Sequence, residues 1–316
     1  MVDAAVKTYL PDSLAEALDI RSRVNALPLA GGTDLMVRYR AKNGLEPSLP
    51  GPVMFVNHLP ELRKIEISDG TLVLGASLPM ALLAGDPGEH KAWILKAGGQ
   101  GHKAAEALAA IPEVLRDAAS ALGAPALRQR AVLAGNVANA SPAGDTVAAL
   151  YALETEVVLE SVSGKRRLPV SRFISGPGKT VLKPDELITA FRIPAEPSRW
   201  CYWRKVGTRR ANALTKVSLA SCALVKKGRV ESFTLAYGAV GPTVVLVPAA
   251  QAMVEGCGAG RDIDIPAVVE EVRRTLNPID DQRSTAKYRK QVALNLTTQA
   301  LESLKEYMQR KQGDTA

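Results

Sequence analysis

The chain has 316 residues, 47% of them apolar, and a formal net charge of +8. That length allows two domains with sizeable cores, at roughly 100–200 residues per domain. Three cysteines spaced 21 and 35 residues apart, with no Cys-x-x-Cys, argue against a disulfide framework and against an iron–sulfur or zinc cage, and no run approaches the ~18 apolar residues of a membrane span.

His58, His90 and His102 sit in separate contexts, so no metal site is expected. With 4% aromatics and no recognition helix, the basic balance points to acidic protein surfaces or anionic cofactors rather than to nucleic acid. The first residues lack the apolar core of a secretory signal, and a soluble cytoplasmic protein is expected.

In chain order, residues 4–20 give an extended piece up to Pro11. A helix follows, capped by Asp12 or Ser13, with Leu14, Ala15, Ala17 and Leu18 on its inner face. Residues 26–30 read as a short buried strand that stops at Gly31-Gly32. Thr33 and Asp34 then cap a helix starting at Leu35. Paired glycines let a ligand approach the backbone closely. Amides gathered at one spot favour an anion, most simply a phosphate, each charge-assisted hydrogen bond contributing roughly 1.5–3 kcal/mol. An ordinary β-turn-α connection is the plain alternative.

Residues 41–52 read as loop and 52–57 as a strand. Residues 64–68 and 71–76 flank Asp69-Gly70 as a hairpin. Residues 85–101 read as a glycine-rich loop, and 104–122 as a helix that Pro112 divides in two.

Residues 122–146 are rich in small side chains and weak in periodicity, so propensity gives loop, with a tight turn at 131–135. Asn136, Asn139, Ser141 and Asp145 supply polar groups along it. A helix from Thr146 leads to a strand at 156–161 and its hairpin partner at 166–170. A glycine–proline loop at 174–187 precedes a strand at 187–194, and residues 194–198 read as a junction. Beyond it an α+β pattern predicts strands at 200–206, 215–225, 230–240 and 243–246, then helices at 248–255, 266–276 and 284–310, with fraying from Lys305 onward.

Two stretches about one hundred residues apart, Ala30-Gly-Gly-Thr-Asp-Leu35 and Ala134-Gly-Asn-Val-Ala-Asn-Ala-Ser-Pro-Ala-Gly-Asp145, together resemble the paired flavin-binding motifs of the FAD-binding medium subunit of molybdenum hydroxylases. These are the xanthine, nicotinate, carbon monoxide and hydroxybenzoyl-CoA type enzymes. Phe173-Ile-Ser-Gly-Pro-Gly-Lys-Thr-Val-Leu-Lys-Pro-Asp-Glu-Leu-Ile188 and Tyr202-Trp-Arg-Lys-Val-Gly-Thr-Arg-Arg-Ala211 are also similar to that family, especially to xanthine-dehydrogenase-like members. The likeness runs from about residue 4 to about residue 296.

The resemblance implies an α+β fold: an FAD-binding PCMH-type domain over 1–195, with lobes at about 1–58 and 59–195, then a C-terminal α/β domain of the carbon monoxide dehydrogenase flavoprotein type over 196–316. It implies that Leu29, Ala30, Gly31, Gly32, Thr33, Asp34 and Leu35 wrap the FAD diphosphate. Gly123 and Val132, Leu133, Ala134, Gly135 and Asn136 would line the other side of the cleft. Asp145 would stand near the nucleotide, Ile188 near the adenine and Lys205 near the isoalloxazine; a surface lysine on a strand is the plain alternative for Lys205.

Two departures stand out. Ala134 replaces a glycine usual in relatives, from which a slight shift and not loss of FAD is expected. Residues 85–111 look like an insertion; lacking cysteine, they are not an iron–sulfur insert.

No Ser-His-Asp set or carboxylate pair can be argued, which suits an electron-transfer module whose cofactor carries the redox chemistry. The family scheme puts the molybdopterin cofactor in a large partner subunit and two [2Fe–2S] clusters in a small one. This chain's FAD would pass their electrons to NAD⁺ or another acceptor. A self-sufficient flavin oxidoreductase of the same wider fold and a non-catalytic nucleotide-binding scaffold are the alternatives.

Overall fold

The computed structural model describes residues 6–40, 49–96, 101–196, 199–209, 212–258 and 262–313. Most of the loop expected at 41–52, and part of the junction expected at 194–198, lie outside these residues. Among the described residues no helix is long and apolar enough to cross a membrane.

The first lobe is a three-stranded parallel sheet. Strand β1 (Thr8–Tyr9) leads to helix α1 (Leu14–Val24), strand β2 (Leu27–Leu29), a single helical turn α2 (Leu35–Arg38) and strand β3 (Val53–Phe55), which lies between β1 and β2. Ser13 is the N-cap of α1, its hydroxyl accepting from the Glu16 amide at 3.2 Å. The helix buries Ala17, Leu18, Ile20 and Arg21, while Ala15, expected on the inner face, is exposed. At 3.6 residues per turn, positions 17, 18, 20 and 21 share a face that position 15 does not.

The second lobe is a five-stranded antiparallel sheet. A 3₁₀ turn at Pro60–Arg63 enters the hairpin of β4 (Ile65–Ser68) and β5 (Thr71–Gly75). Six helices follow: α3 (Met80–Leu83), α4 (Pro87–Lys96), α5 (Gly101–Ala109), α6 (Glu113–Ser120), α7 (Pro125–Arg130) and α8 (Leu133–Ala138). Then come α9 (Asp145–Ala152), the hairpin of β6 (Glu156–Ser161) and β7 (Gly164–Pro169), the turn α10 (Val170–Phe173), the small hairpin of β8 (Ile174–Gly176) and β9 (Lys179–Thr180), and β10 (Leu187–Pro194). Strand β10, last in sequence, sits in the middle between β5 and β6. Pro112 divides α5 from α6 as expected.

Two expectations fail here. Residues 87–96 form a helix, not a loop: the Asp86 side chain accepts from the amides of Gly88 and Glu89 at 2.9 and 3.1 Å, an N-terminal cap ahead of a proline-led first turn. In the stretch expected as loop, residues 125–130 and 133–138 are likewise helical, the second in place of a tight turn.

At the mouth of β10, the Glu186 carboxylate accepts from Arg166 Nε and Nη2 at 2.6 and 2.8 Å and from the Lys183 amide at 2.8 Å. The bond from Arg166, more than any other contact, holds this carboxyl below its ordinary value near 4.5. The unfolded chain therefore takes up this proton first as pH falls. The stabilisation is complete above the unfolded pKa and disappears as pH drops through the lower folded value. Glu186→Gln is expected to lower the urea midpoint near neutral pH, with the gap from wild type narrowing as pH falls below the ordinary value of 4.5 and through the lower folded one.

The third unit is a four-stranded antiparallel sheet of β11 (Arg199–Val206), β12 (Val217–Lys226), β13 (Arg229–Gly238) and β14 (Val245–Leu246), followed by helices α11 (Pro248–Val254), α12 (Ile265–Thr275) and α13 (Ala286–Gly313). α13 is helical as far as Gly313, and the last three residues of the segment expected to fray lie outside the described residues. One sheet face joins Val217, Leu219, Leu235 and Tyr237 to the helices. The other contributes Trp203, Ala220, Cys222 and Ala236 to the core of the first two lobes. Between the sheets lies α9, all eight of whose residues are buried. From Val147 to Ala152 its sequence is small or apolar, which suits a helix with no solvent face.

Candidate functional site

A cleft of about 610 Å³ opens between the first lobe, α7 to α9 and the loop before β12. Its size falls in the range of small-molecule and cofactor sites, about 300–1,000 Å³.

The first wall is the glycine turn after β2. Among the described residues, nothing accepts from the backbone amides of Gly31, Gly32, Thr33, Asp34 or Leu35, so these donors are available to an anion. Gly32 has φ +70°, the left-handed conformation that favours glycine. Asp34 occupies the N-cap position of α2 without a capping bond from its side chain, which instead lies 3.7 Å from Arg38. Arg38 also donates to Asn139 Oδ1, linking this wall to the facing one.

The second wall is α7, α8 and the turn into α9. The loop after β5 holds it in place: the Leu133 and Ala134 amides donate to the carbonyls of Leu78 and Ala76 at 3.3 and 3.1 Å, and Met80 N donates to Ala131 O at 2.8 Å. The walls meet at Gly31, where a Cβ would stand 2.0 Å from the Arg130 carbonyl oxygen. Gly31 is thus required for the contact between walls, a tighter demand than approach of a ligand.

Of the sixteen expected residues, all but Leu133 and Lys205 line the cleft. Because 133–138 is a helix, Leu133 and Val137 turn into the core while Ala134 and Gly135 face the opening. Ala134 is in ordinary helical backbone, where a methyl group is well tolerated by the fold. Asn136 Oδ1 accepts from Thr146 Oγ1 at 2.7 Å, tying α8 to α9. Ile188 stands beside a register shift in β10, an irregularity of the kind that re-aims a side chain at a site.

Asp145 and Lys205, expected at different parts of the cofactor, are brought together by the structure. The resemblance puts one beside the nucleotide and the other beside the ring system, two different parts of an elongated dinucleotide. Here Lys205 Nζ donates to Asp145 Oδ2 at 2.6 Å, so both occupy one place. Lys205 also donates to Ala121 O at 3.2 Å, and Asp145 Oδ1 accepts from Thr215 Oγ1 at 2.6 Å. Lys205 stands behind Asp145 and its charge is matched there. Burial pushes the Asp145 carboxyl above its ordinary range, against the opposing pull of Lys205 and Thr215.

Two cationic residues on the cleft were not singled out from sequence. Arg21 is 8% exposed and donates to the carbonyls of Ala26 and Glu186 at 2.8 and 3.3 Å; burial lowers its pKa. Its signal was legible: a basic residue on the buried stripe of α1, one turn after Ala17 and Leu18. Arg38, three residues into α2, carried no comparable mark.

Residues 4–196 match the family model for the FAD binding domain in molybdopterin dehydrogenase, and residues 202–304 match the CO dehydrogenase flavoprotein C-terminal domain. The chain is similar to the glyceraldehyde dehydrogenase medium chain of Sulfolobus acidocaldarius, 26% identical over 93% of this chain and 96% of that one. It is also similar to the xanthine dehydrogenase FAD-binding subunit of Escherichia coli, 24% identical over 92% of each chain. Carbon monoxide dehydrogenase from Hydrogenophaga pseudoflava, in a form lacking the Mo-pyranopterin moiety, superposes with a TM-score of 0.78 at 24% identity over 96% of this chain and 98% of its own. That likeness shows a shared fold.

Proposed function

The chain belongs to the family of FAD-binding medium subunits of molybdenum hydroxylases, and from that membership we propose that it is the electron-transfer flavoprotein of such a complex, taking electrons from [2Fe–2S] clusters of a partner subunit and passing them to NAD⁺ or another acceptor. The observation that carries the reading is the row of five amides at 31–35 with no acceptor among the described residues, across a cofactor-sized cleft from a wall of small side chains.

The residues suit FAD. The amides of Gly31 to Leu35, with Arg38 beside them, would take the diphosphate, for which backbone donors and a nearby cation are the natural partners. Gly123, Val132, Ala134, Gly135 and Asn136 would form the facing wall, with Ile188 toward the adenine. Asp145, with Thr215 and Lys205 behind it, would stand beside the cofactor. Leu133 supports this wall from the core. A bound flavin supplies the one- and two-electron redox chemistry, and the protein supplies orientation and electrostatics. The molybdopterin centre and the iron–sulfur clusters would belong to a large and a small partner subunit.

Purified chain titrated with FAD is expected to acquire flavin absorption in the blue, without iron–sulfur bands. Co-expression with the partner subunits should recover one complex, and NADH should bleach its flavin. A colourless chain that takes up no FAD at micromolar concentration overturns the reading.

A further inference from the structure

Away from the cleft, the two domains meet over a pair of thiols. Cys201 on β11 and Cys222 on β12 are directly opposed in the antiparallel register, their sulfurs 3.6 Å apart. Opposed residues in such a ladder have Cα atoms about 4.5–5.5 Å apart, inside the about 4.4–6.8 Å that a disulfide spans. Cys201 is half-buried and Cys222 buried. Both face the first domain, with Trp203 and Ala220 as neighbours in that core. Arg199 lies two residues before Cys201, on the same face of β11. Its Nε is buried and has no hydrogen-bond partner among the described residues, although its charge acts on both thiols. Cys257 belongs to the other core, its sulfur directed at the carbonyls of Met253 and Asp262 at 3.4 and 3.7 Å.

We propose that Cys201 and Cys222 are a peroxide-sensitive dithiol that closes to a cross-strand disulfide in the seam between the domains. The two thiols are unequal. The hydrogen bond with Cys222, helped by the Val114 amide and by Arg199, favours the Cys201 thiolate, whereas burial holds Cys222 protonated. Cys201 is therefore the attacking sulfur and Cys222 the resolving one.

Hydrogen peroxide is the oxidant. The Cys201 thiolate attacks one peroxide oxygen, the O–O bond breaks, and the departing hydroxide takes a proton to leave as water. Cys201 is then a sulfenic acid. The Cys222 sulfur attacks the Cys201 sulfur, the S–S bond forms, and hydroxide leaves with the Cys222 proton as a second water. In total the two thiols lose two electrons and two protons, and one peroxide becomes two waters. The bond pins β11 to β12 upstream of Lys205.

The full chain treated with hydrogen peroxide, then unfolded and assayed for thiols, is expected to fall from three free thiols to one and to lose the mass of two hydrogens, with dithiothreitol reversing both. Cys257→Ser should fall from two thiols to none. Cys222→Ser should stop at a Cys201 sulfenic acid trapped by dimedone. Arg199→Met should slow the reaction. Retention of all three thiols, or a loss confined to Cys257, overturns the proposal; because the thiols stand away from the cleft, neither result depends on FAD uptake.

Discussion

Gly31→Ala is expected to reduce FAD affinity at least about tenfold, a loss of about 1.4 kcal/mol in binding, and to lower the thermal midpoint as well. The new Cβ would lie 2.0 Å from the Arg130 carbonyl oxygen and 3.1 Å from the Ala131 Cα. Both are backbone atoms, so no side-chain rotation relieves the clash. Arg130 ends α7, and Ala131 is bonded on both sides, its amide to Leu127 O and its carbonyl to Met80 N. The walls must part instead. Overpacking of this kind costs typically about 1–3 kcal/mol, and here the strain falls on the seam that sets the width of the cleft.

Gly135→Ala is the matching control. Its Cβ would meet only Val132 Cγ2, at 3.4 Å, from ordinary helical backbone. Alanine is favoured over glycine in a helix by about 1 kcal/mol, so without FAD this variant should unfold no earlier than wild type, whereas its FAD affinity reads the facing wall that Gly135 would form. Flavin absorbance per chain, fluorescence titration with FAD and calorimetry together separate the two glycines. Equal behaviour of both variants would contradict the claim that the walls touch at Gly31.

Much of the fold could be read from local pattern. The hairpin at Asp69-Gly70 pairs as the alternation predicts, because a two-residue turn of this composition fixes register by itself. The division at Pro112 follows from the missing amide of proline. Helix α4 carried its own signal in Asp86-Pro-Gly-Glu89, an N-cap followed by proline, which the surrounding glycines obscured. Helix α8 carried none. Its one apolar pair, Leu133 and Val137, is too short a pattern to read among small and polar residues, and its first amides are received from outside by Leu78 and Ala76. Leu133 was therefore placed in the cleft when its side chain belongs to the core. The two walls were recognisable as glycine-rich runs. Their direct contact and the bond between Asp145 and Lys205 depend on tertiary placement, which no local pattern encodes.

That bond supports the second large expectation. Lys205→Met should destabilise the chain by about 3–5 kcal/mol, the cost of leaving one member of a buried ion pair without the other. Both side chains are close to fully buried, at 10% and 8% exposure, and the pair spans two domains, from β11 to the first residue of α9. Without the ammonium, Asp145 keeps only Thr215 as a side-chain donor in a setting that already disfavours its charge. Asp145→Leu alone should cost as much, by leaving Lys205 with Ala121 O as its one hydrogen-bond acceptor. The double variant should recover a large part of the loss, since a well-packed apolar pair avoids desolvating two charges. Urea unfolding of the four proteins gives the coupling energy directly. Additive effects would show that Lys205 and Asp145 act independently despite their contact. Flavin binding in the double variant carries separate information: restored stability with weakened FAD uptake would mean that the carboxylate facing the cleft serves the cofactor, whereas restored stability with unchanged uptake would confine the pair to holding the two domains together.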